Sequence, residues 1–144
     1  THALLAMFGR LRQSRQRRRL AALTLDAARA RAARGAALLD DRDGGWAAHV
    51  DTATLELADG TACVLGQLAG EYRVGLRARV FDLSSAPTRF VSPVDLGFQA
   101  VGDLGEAAEA LDYTFLTRAW REEIAARQPA APTAPPRLYS TAPG

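Results

Sequence analysis

Cys63 is the single cysteine of the chain and His49 is one of two histidines, so the first chemistry their types suggest is a thiolate activated by an imidazole. Such catalysis needs a thiol pKa depressed by a histidine or a helix N-terminus, and a group that stabilises a developing oxyanion. Cys63 stands near an expected helix start, which makes Cys63 and His49 a minimal dyad. Its neighbours Ala62, Val64 and Leu65 are instead the company of a small buried hydrophobe, and core packing is the favoured reading. No GxGxxG, no Walker loop with its lysine and no Ser/His/Asp context accompanies them. Asp40 and Asp41 face different ways on a helix and do not make a carboxylate pair. No catalytic residue, cofactor or metal ligand set is assigned, and the chain is expected not to be an enzyme.

The stronger chemical lead is "RLRQSRQRRRL", which carries Arg10, Arg12, Arg15, Arg17, Arg18 and Arg19. Guanidinium forks match phosphate geometry, and several together release counterions from a nucleic acid, giving affinity that falls steeply with salt. On a helix Arg12, Arg15 and Arg19 share one side while Arg10, Arg17 and Arg18 point elsewhere, so the pattern is a broad basic collar. No aromatic interleaving or recognition-helix pattern suggests base reading. Two other fates fit the same segment. The arginines can be solvated or paired with acids of the body, or Leu4, Phe8, Leu11, Leu20 and Leu23 can pack on a protein partner or a second copy. Contact with an anionic lipid surface, through Leu4, Leu5, Phe8 and Leu11 beside the arginines, is the less favoured option.

Charge distribution sharpens this lead. All 18 basic residues are arginine, and the formal net charge is +2. Residues 1–34 hold nine arginines against Asp26 alone, a charge of +8, whereas the remainder carries −6. Such asymmetry implies a polyanionic partner for the front end or its neutralisation by the acidic body. One cysteine closes no intrachain disulfide, and no CxxC or Cys/His cluster stands ready for a structural metal, so a reducing cytoplasm is the expected setting. The apolar run "ALLAMF" is too short for a membrane span and is followed, not preceded, by positive charge, which is wrong for a secretory signal.

The elements that must position these residues fall into three zones: a basic helical arm at 1–34, a compact domain at 35–127 and a Pro/Ala-rich tail at 128–144, read as disordered or extended. In the first zone, Leu4, Phe8 and Leu11 mark one apolar stripe, which Leu20, Leu23, Ala27 and Ala30 continue. One long helix or two short ones both fit, with Thr24 or Asp26 as cap of a second. The helical run extends past this zone to about residue 43, where Gly44 and Gly45 supply the stop signal.

In the second zone Trp46 and Val50 begin the core, and Leu55 and Leu57 alternate with polar neighbours as in a short half-buried strand. Asp59-Gly60 is either a hairpin turn or the entry to a helix capped by Thr61; the spacing of Val64, Leu65, Leu68 and Tyr72 favours the helix, with Gly75 as its stop. Gly66 and Gly70 share a face that admits a close backbone, within the body rather than between copies. "RARVFDL" is a candidate second strand, "SSAPTRFVSP" a loop, and Ser92-Pro93 the start of a helical turn to Leu96. A capping box at Asp103 and Glu106 opens the last helix, whose face is Leu111, Phe115, Leu116, Ala119, Trp120 and Ile124.

"RGAALLDDRDGGWAAHVDTATLEL", "CVLGQLAGEYRVGL", "VDLGF" and "LDYTFLTRAWREEI", in this order, resemble a family of small uncharacterised actinobacteriophage and actinobacterial proteins. The likeness covers residues 34 to about 127. It implies a fold unit and a phage or actinobacterial setting, and no chemistry. Together these readings predict an α+β, helix-dominated body with one or two short strands or a hairpin, carrying a long basic helical arm. The function expected is that of an accessory binding protein making non-specific contact with nucleic acid, with a protein-interaction or assembly module as the alternative.

Overall fold

The computed structural model describes residues 2–80 and 92–129. Among them are five α-helices: α1 (His2–Ala21), α2 (Leu25–Arg42), α3 (Val64–Ala69), α4 (Tyr72–Gly75) and α5 (Glu106–Arg127). A 3-10 turn (Trp46–His49) and a π-helical turn (Leu76–Val80) complete them, and no β-strand occurs among the described residues. The fold is all-α, which corrects the α+β expectation. Residues 81–83 of the candidate second strand, the 84–91 part of the loop and the tail from 130 lie outside the described residues.

The missing strand has a definite physical cause. Leu55 and Leu57 are buried as their alternation predicts, but the chain around them runs as turns. Their polar backbone groups are taken by α5 side chains: Thr117 Oγ1 accepts from Leu57 N at 3.0 Å, and Arg121 donates to the Leu55 and Thr52 carbonyls. Period-two burial therefore arises on a single irregular stretch that leans on a helix, with no neighbouring strand among the described residues. After Asp59-Gly60 the chain does turn back, with Glu56 N donating to Ala62 O at 3.3 Å. Helix α3 then begins, its first turn capped by Cys63 Sγ, which accepts from Gly66 N, and not by Thr61.

The expected single helix over 61–74 is two. Gly70, at φ +90°, ends α3, and Glu71 caps α4 by accepting from Val74 N. Gly66 is the position that needs a close backbone approach, because a Cβ there would overlap the Gly60 carbonyl; Gly70 faces open space. Gly75 does not stop the helical path, which passes into the π-helical turn. In residues 92–98 the expected helical turn forms, with Leu96 N donating to Ser92 O and Phe98 N to Pro93 O.

The frame is the α2–α5 pair. Ala28, Ala32, Gly35, Ala36 and Leu39 of α2 meet Leu116, Ala119, Trp120 and Ile124 of α5, with Leu111 left largely exposed. A Cβ on Gly35 would overlap the Leu96 carbonyl oxygen and come within 2.8 Å of the Trp120 ring, so glycine sets the approach of helix, loop and indole. Trp120 Nε1 donates to Gly97 O at 2.6 Å, Phe98 stacks on its ring at 5.2 Å, and Trp46 meets it edge-on at 5.8 Å. Helix α5 starts from Gly105 with no side-chain cap, so Asp103 does not form the expected capping box.

One buried ion pair ties the frame to the loop. Asp112, 1% exposed, accepts two bonds from Arg31 Nη1 at 2.7 and 3.0 Å and one from Val101 N. The rest of the guanidinium donates to the Val94 and Gln99 carbonyls. Removing one partner of such a pair strands the other charge in a dry site. Asp112→Ala is expected to lower unfolding free energy by about 3–5 kcal/mol, whereas Arg31→Met with Asp112→Leu loses less. Urea denaturation of the single and double variants measures both.

Candidate nucleic-acid interface

Helix α1 stands off this body. None of its residues is buried, and it contains no acidic residue. Its strong helix formers sustain the helix, which ends where Leu23 N donates to Leu20 O and Thr24 Oγ1 caps α2 through Ala27 N at 3.1 Å. Two helices thus replace the single-helix option, and the break shifts the apolar register. Leu20 remains 40% exposed, Leu23 is half-buried in the link, and Ala30 is exposed, while the inward stripe of α2 runs through Ala28 and Ala32. The basic zone at 1–34 accordingly divides: residues 25–34 belong to a core helix, and α1 is the free-standing part.

The arginines divide in the same way. Arg29 of α2 bridges to Glu122 at 2.8 Å and to Asp26, Arg31 is the buried partner of Asp112, and Arg34 donates to the Asp95 carbonyl. Farther along, Arg79 pairs with Asp43, and Arg127 pairs with Asp40 and Glu123 while its guanidinium sits over the Trp46 ring at 5.7 Å. Arg127, followed by the Trp46 indole N–H, holds the Asp40 carboxyl below the usual carboxylate range. Within the α1 cluster, only Arg19 hydrogen-bonds to the body among the described residues, its two terminal nitrogens donating to both oxygens of Asp103 at 2.6 and 2.8 Å. Arg10, Arg12, Arg15, Arg17 and Arg18 are exposed and have no carboxylate partner among the described residues.

Along the same helix Leu4, Leu5, Met7, Phe8 and Leu11 are each more than half exposed, so the apolar residues at its start are also uncovered. Clefts flank its base. One of about 290 Å³ is lined by Arg12, Arg15, Gln16, Arg19, Asp103 and Leu104. Its neighbour, of about 200 Å³, has Leu23, Ala27, Val94 and Val101 in its wall. Among the described residues no helix is long and apolar enough to cross a membrane, and no three His, Cys, Asp or Glu side chains gather as a metal-holding group.

Cys63 and His49 are not brought into a hydrogen-bonded dyad. Cys63 is buried, its Sγ accepting from Gly66 N at 3.3 Å and lying 3.8 Å from Gly60 O, while His49 is exposed at the end of the 3-10 turn. Burial pushes the thiol pKa up, against the Gly66 N–H that favours the thiolate. Tyr72, whose hydroxyl donates to Gln99 Oε1, is likewise pushed up to about 12 by burial. Gln67, in the sequence next to the glycine of the Cys63 segment, fastens the 51–62 loop by accepting from Asp51 N and donating to the Asp51 and Ala62 carbonyls. That role carried no signal in its type or spacing.

Comparison with family models, with curated proteins and with solved structures gives no match. Cys63 is expected to resist an aromatic disulfide reagent at pH 8 in the folded protein and to react fully after unfolding in guanidinium. Rapid labelling of the native chain would overturn its assignment as a helix cap in the core.

Proposed function

We propose that the protein is a non-enzymatic accessory binding protein that contacts the phosphate backbone of nucleic acid, without sequence preference, through α1. The observation that carries this reading is the unequal fate of the arginines. Those of α2 and α5 are occupied by carboxylates and loop carbonyls, whereas five on α1 are exposed and without a carboxylate partner among the described residues. Neutralisation of the front end by the acidic body, the competing fate, reaches the cluster only at Arg19 among the described residues. A basic helix with no acid of its own concentrates positive potential along its length, which suits a continuous line of phosphates better than a single small anion.

Of the residues that carry the resemblance to actinobacteriophage proteins, Trp46, Cys63, Gly66, Phe98 and Trp120 are core residues of the body. We propose this family as the setting of the chain, with the arm lying outside the shared unit.

A second reading rests on a different observation, the exposure of Leu4, Met7, Phe8 and Leu11 on one side of α1. Five large apolar side chains uncovered over residues 4–11 form the kind of patch that a protein partner or a second copy covers. In this reading α1 is an assembly helix, and the arginines set its orientation.

Binding to a generic duplex DNA and to a structured RNA over a salt series separates the two. If each of the five free arginines neutralises one phosphate, log K for the duplex falls with log salt with a slope of about −4 to −5. Replacing Arg10, Arg12, Arg15, Arg17 and Arg18 together by Gln should abolish that binding while leaving the melting temperature of the body unchanged. No binding at low salt, together with a dimeric sedimentation coefficient, would move the function to the assembly reading.

A further inference from the structure

The only side-chain hydrogen bonds from α1 to the body among the described residues are the two that Arg19 gives to Asp103. They lie in the cleft that Arg12 and Arg15 also line. Residues 12, 15 and 19 follow i, i+3, i+7 spacing, so three arginines line one concavity while a single carboxylate sits there. The Asp103 carboxylate takes both ends of the Arg19 fork, which is the geometry in which guanidinium also receives two phosphate oxygens. Asp103 has no helix to cap and no other side-chain partner among the described residues, and its side chain is 63% exposed. Its one visible task is to hold Arg19. An ion pair this open to water is screened by salt and readily exchanged.

We propose that this cleft is the principal phosphate seat of the arm, and that Asp103 is an internal competitor which occupies it in the free protein. The inference rests on the nucleic-acid reading above and adds a regulation to it. On binding, a backbone phosphate replaces the Asp103 carboxylate on Arg19 and is flanked by Arg12 and Arg15. Loss of the Arg19 tether leaves α1 joined to the body through the Leu23 link alone, free to follow the nucleic-acid surface. Asp103 thereby sets a threshold: weak or isolated anions meet a filled seat, and a polyanion that also engages Arg10, Arg17 and Arg18 displaces it.

A double-mutant cycle on the full chain tests this with a generic 20-base-pair duplex as probe. Asp103→Asn keeps the side-chain shape and removes the charge. It is expected to tighten binding by about three- to five-fold, as befits release of one exposed pair, and to steepen the salt slope by about one phosphate's worth. In an Arg19→Gln background the same Asp103→Asn change should have almost no effect, because the competitor then has nothing to withhold. Equal effects of Asp103→Asn with and without Arg19 would reduce Asp103 to a general repulsive charge and overturn the seat. Binding by all forms with no gain from Asp103→Asn would overturn it also, while leaving the nucleic-acid reading intact. Absence of binding by every form would overturn both. Both residues are exposed, and thermal melts of each variant should match the parent.

Discussion

The body of this protein buries loops between helices without a β-ladder to satisfy them, and the rest of its organisation follows from that constraint. A buried carbonyl or N–H that finds no partner costs on the order of 1–3 kcal/mol, so each loop needs donors and acceptors from somewhere. They come from side chains of the long helices. Arg31 serves the Val94 and Gln99 carbonyls, Asp112 the Val101 N–H, Trp120 the Gly97 carbonyl, Thr117 the Leu57 N–H and Arg121 the Thr52 and Leu55 carbonyls. Gln128, just past α5, donates to Ala47 and Val50, and Arg42 to Arg79 and Val80. No buried side-chain nitrogen or oxygen among the described residues lacks a partner. Two α-helices thus do for the loops what neighbouring strands do in a sheet.

The same side chains also shape the charge pattern. A cation near the core needs a carboxylate to offset its desolvation, and Arg31, which holds two loop carbonyls, has Asp112 for this. Arg127 with Asp40 and Glu123, and Arg79 with Asp43, are further ion pairs that tie the body together. The i, i+4 pairs of α5, Arg118 with Glu122 and Arg127 with Glu123, are parts of wider links, since Glu122 also takes Arg29 and Arg127 also takes Asp40. Asp40, Asp43, Asp112, Glu122 and Glu123 are committed to these links. Among the described residues the cluster on α1 meets only Asp103, and it is this difference in commitment, more than net charge, that makes α1 the candidate surface for a polyanion.

Much of the helical framework was legible beforehand because its signals are local. The apolar face through Leu116, Ala119, Trp120 and Ile124, the turn after Pro93 and the burial of Trp46, Val50 and Cys63 each follow from propensity, spacing or neighbours within one or two turns, whereas the break before Thr24 is one of two options that the sequence leaves open. The alternation at Leu55 and Leu57 suggests a strand that does not form, because alternation reports which side of a segment is dry, not what lies beside it. The spacing of Asp103 to Glu106 points to a cap for the same reason: it is a local signal, and the actual partner of Asp103, Arg19, is 84 residues away.

By itself, then, the sequence determined that the front of the chain would be a basic helix with an apolar stripe through Leu4, Phe8 and Leu11, that one cysteine would pack in a core, and that a long amphipathic helix would close the body. These depend on side-chain chemistry and on periodicity within a single element. Only the tertiary structure decided that the fold is all-α, that Asp112 and Thr117 are buried, that Gly35 sets the distance between α2 and α5, and that among the described residues Arg19 alone of its cluster meets a carboxylate. Those outcomes depend on which groups, far apart in the chain, arrive within hydrogen-bonding distance when helices pack, and no pattern within one segment encodes that arrival.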